Sequence, residues 1–288
     1  MSVRAIASRW RESLFDDEWE EDEAEGLAGA HTFRGDALAV GVIASAPWLL
    51  LYEWALANPA SGTTERRNVA EILLGAGLGP LGEHAATARV LLILAAVGFA
   101  AWHCIRAEVV LLPRLLRTGV EGGVAALAMG PMLVALGRLF GDAAPRLPLA
   151  EWYPSQSPSL SYVAFVAGGA AYEEVCFRLL LFCALFVLSR HLLSFFGTAL
   201  PIARFAAEVL AMLGSALAFS ASHLERFTAL VGWRGEPFDG PLFFWRMLAG
   251  ILLFAVMRWR GLGVAVWAHA LFNLGLVLGV GPAVLQSP

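Results

Sequence analysis

The chain contains no lysine: all 20 of its basic residues are arginine. That bias is compatible with GC-rich coding and carries no mechanism of its own. Charge of either sign is scarce, at 15% of residues against about 25% in soluble domains, which excludes an ordinary water-soluble surface. Cysteine is rare too. Cys104, Cys176 and Cys183 all sit in apolar surroundings with no CxxC pair, which argues against a disulfide framework or a cysteine-rich zinc site and makes them packing residues. Only Cys176, beside two acidic residues, is worth weighing as a nucleophile. No basic patch is present, so nucleic acid is not an expected partner. No internal repeat suggests an inverted-repeat transporter. The N-terminus shows no signal peptide, because Arg4, Arg9 and Arg11 lead into acidic residues rather than into an apolar core; the first hydrophobic segment is therefore expected to stay as an anchor.

What is present is apolar. Hydrophobic residues make up 58% of the 288, and the mean hydropathy is +0.67, which describes an integral membrane protein. The net charge of -4 comes largely from one run between Asp16 and Glu25. Residues 1–35 thus read as an acidic, solvated, cytoplasmic tail of flexible character. A spanning helix needs about 20 mostly apolar residues. Segments that qualify or nearly qualify are Asp36–Ala57, Ala88–Leu112, Val120–Phe140, Leu160–Leu188, Ala203 to about His223, Leu242–Met257 and Leu262–Val280. Val69–Leu81, short and glycine-rich, reads as re-entrant or interfacial, and Leu192–Ile202 with Pro201 as another short piece. The expected fold is an all-α polytopic transmembrane bundle of seven to eight spanning helices with a polar intramembrane cavity. Residues 36–158 form its N-terminal helices and residues 159–285 its C-terminal transmembrane core. A proline-rich linker, Ala143–Ser159, lies between them, with Glu151-Trp152-Tyr153-Pro154 as a possible interfacial anchor. The arginines lean slightly toward a cytoplasmic N-terminus.

Three polar strings interrupt this apolar background. Glu173, Glu174 and Arg178 lie inside Leu160–Leu188, where a charge costs about 2.5 to 3.5 kcal/mol and usually faces a protein interior. Glu174 and Arg178 are four apart and can pair on one helical face, while Glu173 is rotated by about 100° and stays free. His223 closes the run Phe219-Ser220-Ala221-Ser222-His223. His269 and Asn273, again four apart, share a face of the last segment. Each string alone reads as helix glue. Together, each must find polar company, and the nearest company is the other two. A free carboxylate beside an imidazole can hold and deprotonate water, and a second imidazole with an amide can donate to a developing oxyanion. That is a kit for amide hydrolysis. Two histidines and a glutamate are also adequate zinc ligands, although HExxH is missing. Ser220 and Ser222 are too close to His223 in sequence for an ordinary triad. Glu53, Glu108, Glu121, Arg138 and Glu208 lie near segment ends, where they can snorkel. His31, His84, His103 and His191 have no helical partner resembling these strings. Gly168-Gly169 reads as small-residue packing, with room for a substrate backbone as the functional alternative.

Glu-Glu-x-x-x-Arg with Phe177 before the arginine, then Phe-x-x-x-His, then His-x-x-x-Asn, in this order, resembles the CPBP family of intramembrane proteases. That family includes the type II CAAX prenyl endopeptidases and bacterial proteins linked to bacteriocin processing or self-immunity. The resemblance covers about Leu160–Val280. It implies that Glu173 is the catalytic glutamate that activates water with His223. It also implies that His269 and Asn273 stabilise the oxyanion, that Glu174 and Arg178 support them, and that Phe219 shapes the wall. A metal-independent mechanism without cofactor follows, acting on a membrane-associated peptide or protein in the lipid bilayer of a bacterial cell membrane. The alternatives are a non-catalytic scaffold or self-immunity protein, and a proton-coupled transporter, for which Glu, Arg and His within the membrane would also be needed.

Overall fold

The computed structural model describes residues 35–58, 67–139, 159–229 and 235–278. The acidic tail, His31 and the Glu151-Trp152-Tyr153-Pro154 anchor lie outside the described residues. Helix α1 spans Gly35–Ala57 and α2 Val69–Gly75. A 3-10 stretch, Ala76–His84, leads into α3 (Ala85–Arg106), followed by α4 (Leu111–Leu139) and α5 (Leu160–Glu173). A π-helical stretch, Glu174–Leu181, joins α5 to α6 (Phe182–Phe195). Then come α7 (Leu200–Ala221), the single turn α8 (Glu225–Thr228), α9 (Gly240–Arg260) and α10 (Leu262–Val277). Among the described residues there is no strand, only one isolated bridge between Leu224 and Glu236.

The protein is an all-α polytopic membrane bundle. Among the described residues, six helical stretches are long and apolar enough to cross a bilayer, and the sixteen-residue α10 is a shorter apolar helix beside them. Large apolar side chains such as Leu116, Val120, Val124 and Leu127 on α4, or Phe205, Leu213 and Leu217 on α7, face outward. In lipid that outward face is the solvated one, so the bundle needs no further cover. Leu192–Ile202 is not a separate segment. Leu192–Phe195 finish α6, Gly197 turns the chain at φ +82°, and Pro201 sits in the first turn of α7, where its missing N–H costs nothing. The Val69–Leu81 piece is helical and breaks at Gly82, whose φ of 54° and ψ of -123° suit only glycine.

Helix α1 packs against α3, α5 and α10, and α10 also meets α4, α5 and α9. One tight crossing uses Gly168: a Cβ there would stand 2.6 Å from the Trp48 carbonyl oxygen and 2.8 Å from the Tyr52 nitrogen. Gly168-Gly169 therefore admits the backbone of α1 rather than that of a substrate. Gly168→Ala is expected to destabilise the protein by about 1–3 kcal/mol through overpacking. Gly98→Ala, with nothing within 4 Å of the new methyl, should be neutral or slightly stabilising. Thermal unfolding of both variants in detergent checks the pair.

Glu53 does not snorkel. It is 7% exposed, takes both Nε and Nη2 of Arg89 at 3.0 and 3.1 Å, and accepts the Tyr172 hydroxyl. Arg89 also reaches Glu71 at 3.1 Å, and Glu71, fully buried, pairs with Arg67. Arg89 therefore ties α1, α2 and α3 together by charge, as buried charges require. Glu121 and Glu208 do keep partners near the rim, with Glu121 on Arg117 and Glu208 on Arg258 at 2.6 Å each.

Candidate active site

Glu173 is the last residue of α5, and Glu174 opens the π-helical stretch. The sequence predicts a regular α-helix through both. The widening is an i→i+5 pattern, seen where the Phe182 N–H donates to the Phe177 carbonyl. Ser215 of α7 donates to that same carbonyl at 2.7 Å. Such insertions are frequent at functional sites.

Glu174 and Arg178 are 0% exposed. Arg178 Nε lies 3.4 Å from Glu174 Oε2, and its guanidinium carbon sits 4.1 Å above the Phe219 ring. None of the guanidinium N–H groups makes a hydrogen bond among the described residues, so the carboxylate charge and the ring face are what compensate its burial.

His269, on α10, bridges the two carboxylates. Its Nδ1 is 2.8 Å from Glu174 Oε1 and its Nε2 is 3.5 Å from Glu173 Oε2. His223 lies two residues past α7, and its Nδ1 is 2.9 Å from the Phe219 carbonyl oxygen. Because a carbonyl only accepts, Nδ1 carries the proton, which leaves Nε2 as an acceptor facing Glu173 Oε1 at 4.0 Å. The backbone at His223 is pinned by the segment that follows: the Glu236 N–H donates to the His223 carbonyl at 2.9 Å, and Glu236 in turn holds Arg246 at 2.7 Å. Phe219 stands edge-on to both imidazoles, with centroids 5.2 Å from His223 and 5.8 Å from His269.

Glu173, Glu174, Arg178, Phe219, His223 and His269 thus share one contact network. Asn273 is half-buried one turn beyond His269, and its side-chain amide makes no hydrogen bond to another described residue. Side-chain exposure is graded across the cluster: His223 24%, Glu173 12%, His269 7%, Glu174 0%. The accessible end is the Glu173–His223 pair. Cys176 is buried among Tyr52, Ala70, Tyr172, Phe177 and Phe219, as a packing residue would be.

Glu173 is not free of partners. Asn68 Nδ2 donates to Glu173 Oε1 at 2.7 Å. Sequence reasoning missed this residue, whose one local signal is an N-cap asparagine opening α2. The Asn68 N–H donates to the Tyr52 hydroxyl at 2.9 Å, so the N-terminal helices reach the cluster directly.

No curated protein and no solved structure matches the chain. Residues 155–275 match a protein family described as type II CAAX prenyl endopeptidase Rce1-like. That stretch carries the two glutamates, Arg178, Phe219, His223, His269 and Asn273, and over it the chain is similar to the CAAX-type intramembrane proteases.

Proposed function

We propose that this protein is an intramembrane endopeptidase that hydrolyses a peptide bond of a membrane-associated peptide or protein with water activated by Glu173 and His223. The observation that carries the reading is the 4.0 Å gap between two acceptors, Glu173 Oε1 and His223 Nε2. A water between them donates one proton to each and turns a lone pair outward for attack on a carbonyl carbon. As the water attacks, Glu173 takes one of its protons, which is later delivered to the leaving amine. His223 Nε2 holds the other proton and fixes the direction of attack.

His269 and Asn273 are the proposed oxyanion donors. Glu174 holds His269 through Nδ1 at 2.8 Å, which turns Nε2 to the Glu173 side as the proposed donor. Asn273, whose side-chain amide makes no hydrogen bond among the described residues, keeps that amide for a substrate. Glu174 and Arg178 act as the buried scaffold that orients His269.

The favoured substrate class is a peptide tail held at the membrane, with prenylated CAAX-type tails as the family's example. The wholly arginine basic complement fits a GC-rich source and, with it, a bacterial cell membrane as the location. A zinc reading draws on one observation: a carboxylate on Nδ1 of a histidine is also how metal-bound histidines are oriented.

One experiment separates these readings. Purified protein in nanodiscs is given a quenched-fluorescent peptide ending in a prenylated CAAX tail, with and without excess chelator. Turnover unchanged by chelation supports the glutamate mechanism. Turnover lost on chelation and restored by zinc overturns it, and absence of cleavage removes prenylated tails from the substrate class.

A further inference from the structure

We propose that Asn68 is a positioning residue for Glu173, supplied by the helices outside the family-matched segment; this rests on the assignment of Glu173 as the base. Asn68 is held at three points. Its backbone N–H donates to Tyr52 Oη at 2.9 Å, its Oδ1 accepts from the Ala70 N–H at 2.8 Å, and its Nδ2 donates to Glu173 Oε1 at 2.7 Å.

The second contact settles the amide's orientation. A backbone N–H can only donate, so the side-chain atom facing Ala70 is the oxygen and the atom facing Glu173 is the NH2. Capping α2 requires only an oxygen, which serine or aspartate supplies as well. The NH2 group has no part in the cap, and it points at the carboxylate.

Tyr52 makes the placement rigid. It is fully buried, 4.9 Å from Tyr172 and 5.2 Å from Phe165 by ring centroids. A Cβ on Gly169 would come within 3.0 Å of Asn68 Nδ2, so α5 approaches closely enough to leave the amide one place to stand. The donor fixes Oε1 of Glu173, the oxygen that also faces His223, while Oε2 is left toward His269. Without it the carboxylate is free to rotate about its terminal torsion, which is broad for glutamate, and the direction of proton abstraction is lost. The N-terminal helices are then part of the catalytic unit rather than an anchor for it.

The test uses the full chain in nanodiscs with two substitutions that both keep the α2 cap. Asn68→Ser removes the donor. Asn68→Asp keeps the shape and reverses the polarity toward Glu173. Two readouts are taken: the infrared carboxylate stretch of Glu173, isolated by subtracting the Glu173→Gln spectrum, and the kinetics on the prenylated CAAX peptide.

The band is expected to shift in Asn68→Ser. On the peptide, kcat is expected to fall about tenfold in Asn68→Ser and about a hundredfold in Asn68→Asp, with KM within about twofold of the wild type. An unshifted band overturns the proposal whether or not the peptide is cleaved, and so do kcat values equal to the wild type in both variants. A shifted band in a chain that does not cleave this peptide supports the contact. Full turnover by Glu173→Gln is a different failure, since it sinks the base assignment and leaves the Asn68 hydrogen bond standing.

Discussion

Glu173→Gln is expected to lower turnover by about a thousandfold or more while the protein still folds. The change removes the proposed proton acceptor and little else. Gln keeps the side-chain length and an oxygen for the Asn68 amide, which now stands 2.7 Å from Glu173 Oε1, and so the local packing survives. What it cannot do is accept a proton from water. General-base contributions run from about 10² to 10⁴, and the upper part of that range applies because Glu173 is the most accessible carboxylate of the cluster. Its neighbour Glu174 is fully buried against Arg178 and His269. Initial rates on a membrane-held peptide, paired with a thermal midpoint within a few degrees of the wild type, check both halves of the expectation.

The largest expected effect on stability belongs to Arg178. Removing one member of a buried ion pair strands the other, at about 3–5 kcal/mol. Arg178→Met leaves the Glu174 carboxylate, 0% exposed, with only the His269 imidazole at 2.8 Å, and also removes the cation from the face of Phe219. Low yield and a markedly lower unfolding midpoint in detergent are the expected signs. The double variant Glu174→Gln, Arg178→Met should recover a large part of the loss, because neither charge of the pair is then left buried alone and Gln can still accept from His269 Nδ1. If the double variant is as unstable as the sum of the single ones, the pair is not what holds this region together.

The parts legible in the sequence are those that depend on local spacing. Apolar length gave the spanning helices to within a few residues in most cases, and the i,i+4 rule paired Glu174 with Arg178 four residues away. The same rule set His269 and Asn273 on one face, although nothing in it could say that His269 would touch both glutamates, since that depends on how α10 crosses α5. The ion pairs of Glu53 and Glu71 with Arg89 escaped for the same reason. Each looks like a segment-end charge until three helices are packed together. The π-helical widening after Glu173 has no sequence period to betray it. Asn68 was the costliest omission: it lies about a hundred positions before Glu173 in a short, glycine-rich stretch, and its local pattern announces only a helix cap.

The central proposal is that Glu173 and His223 activate water to cleave a peptide at the membrane. Its most direct test is mass-spectrometric profiling of peptide termini in membranes from cells producing the wild type and from cells producing Glu173→Gln at equal level. New termini that appear with the wild type and are absent with Glu173→Gln are predicted. Identical profiles from the two membranes would contradict it.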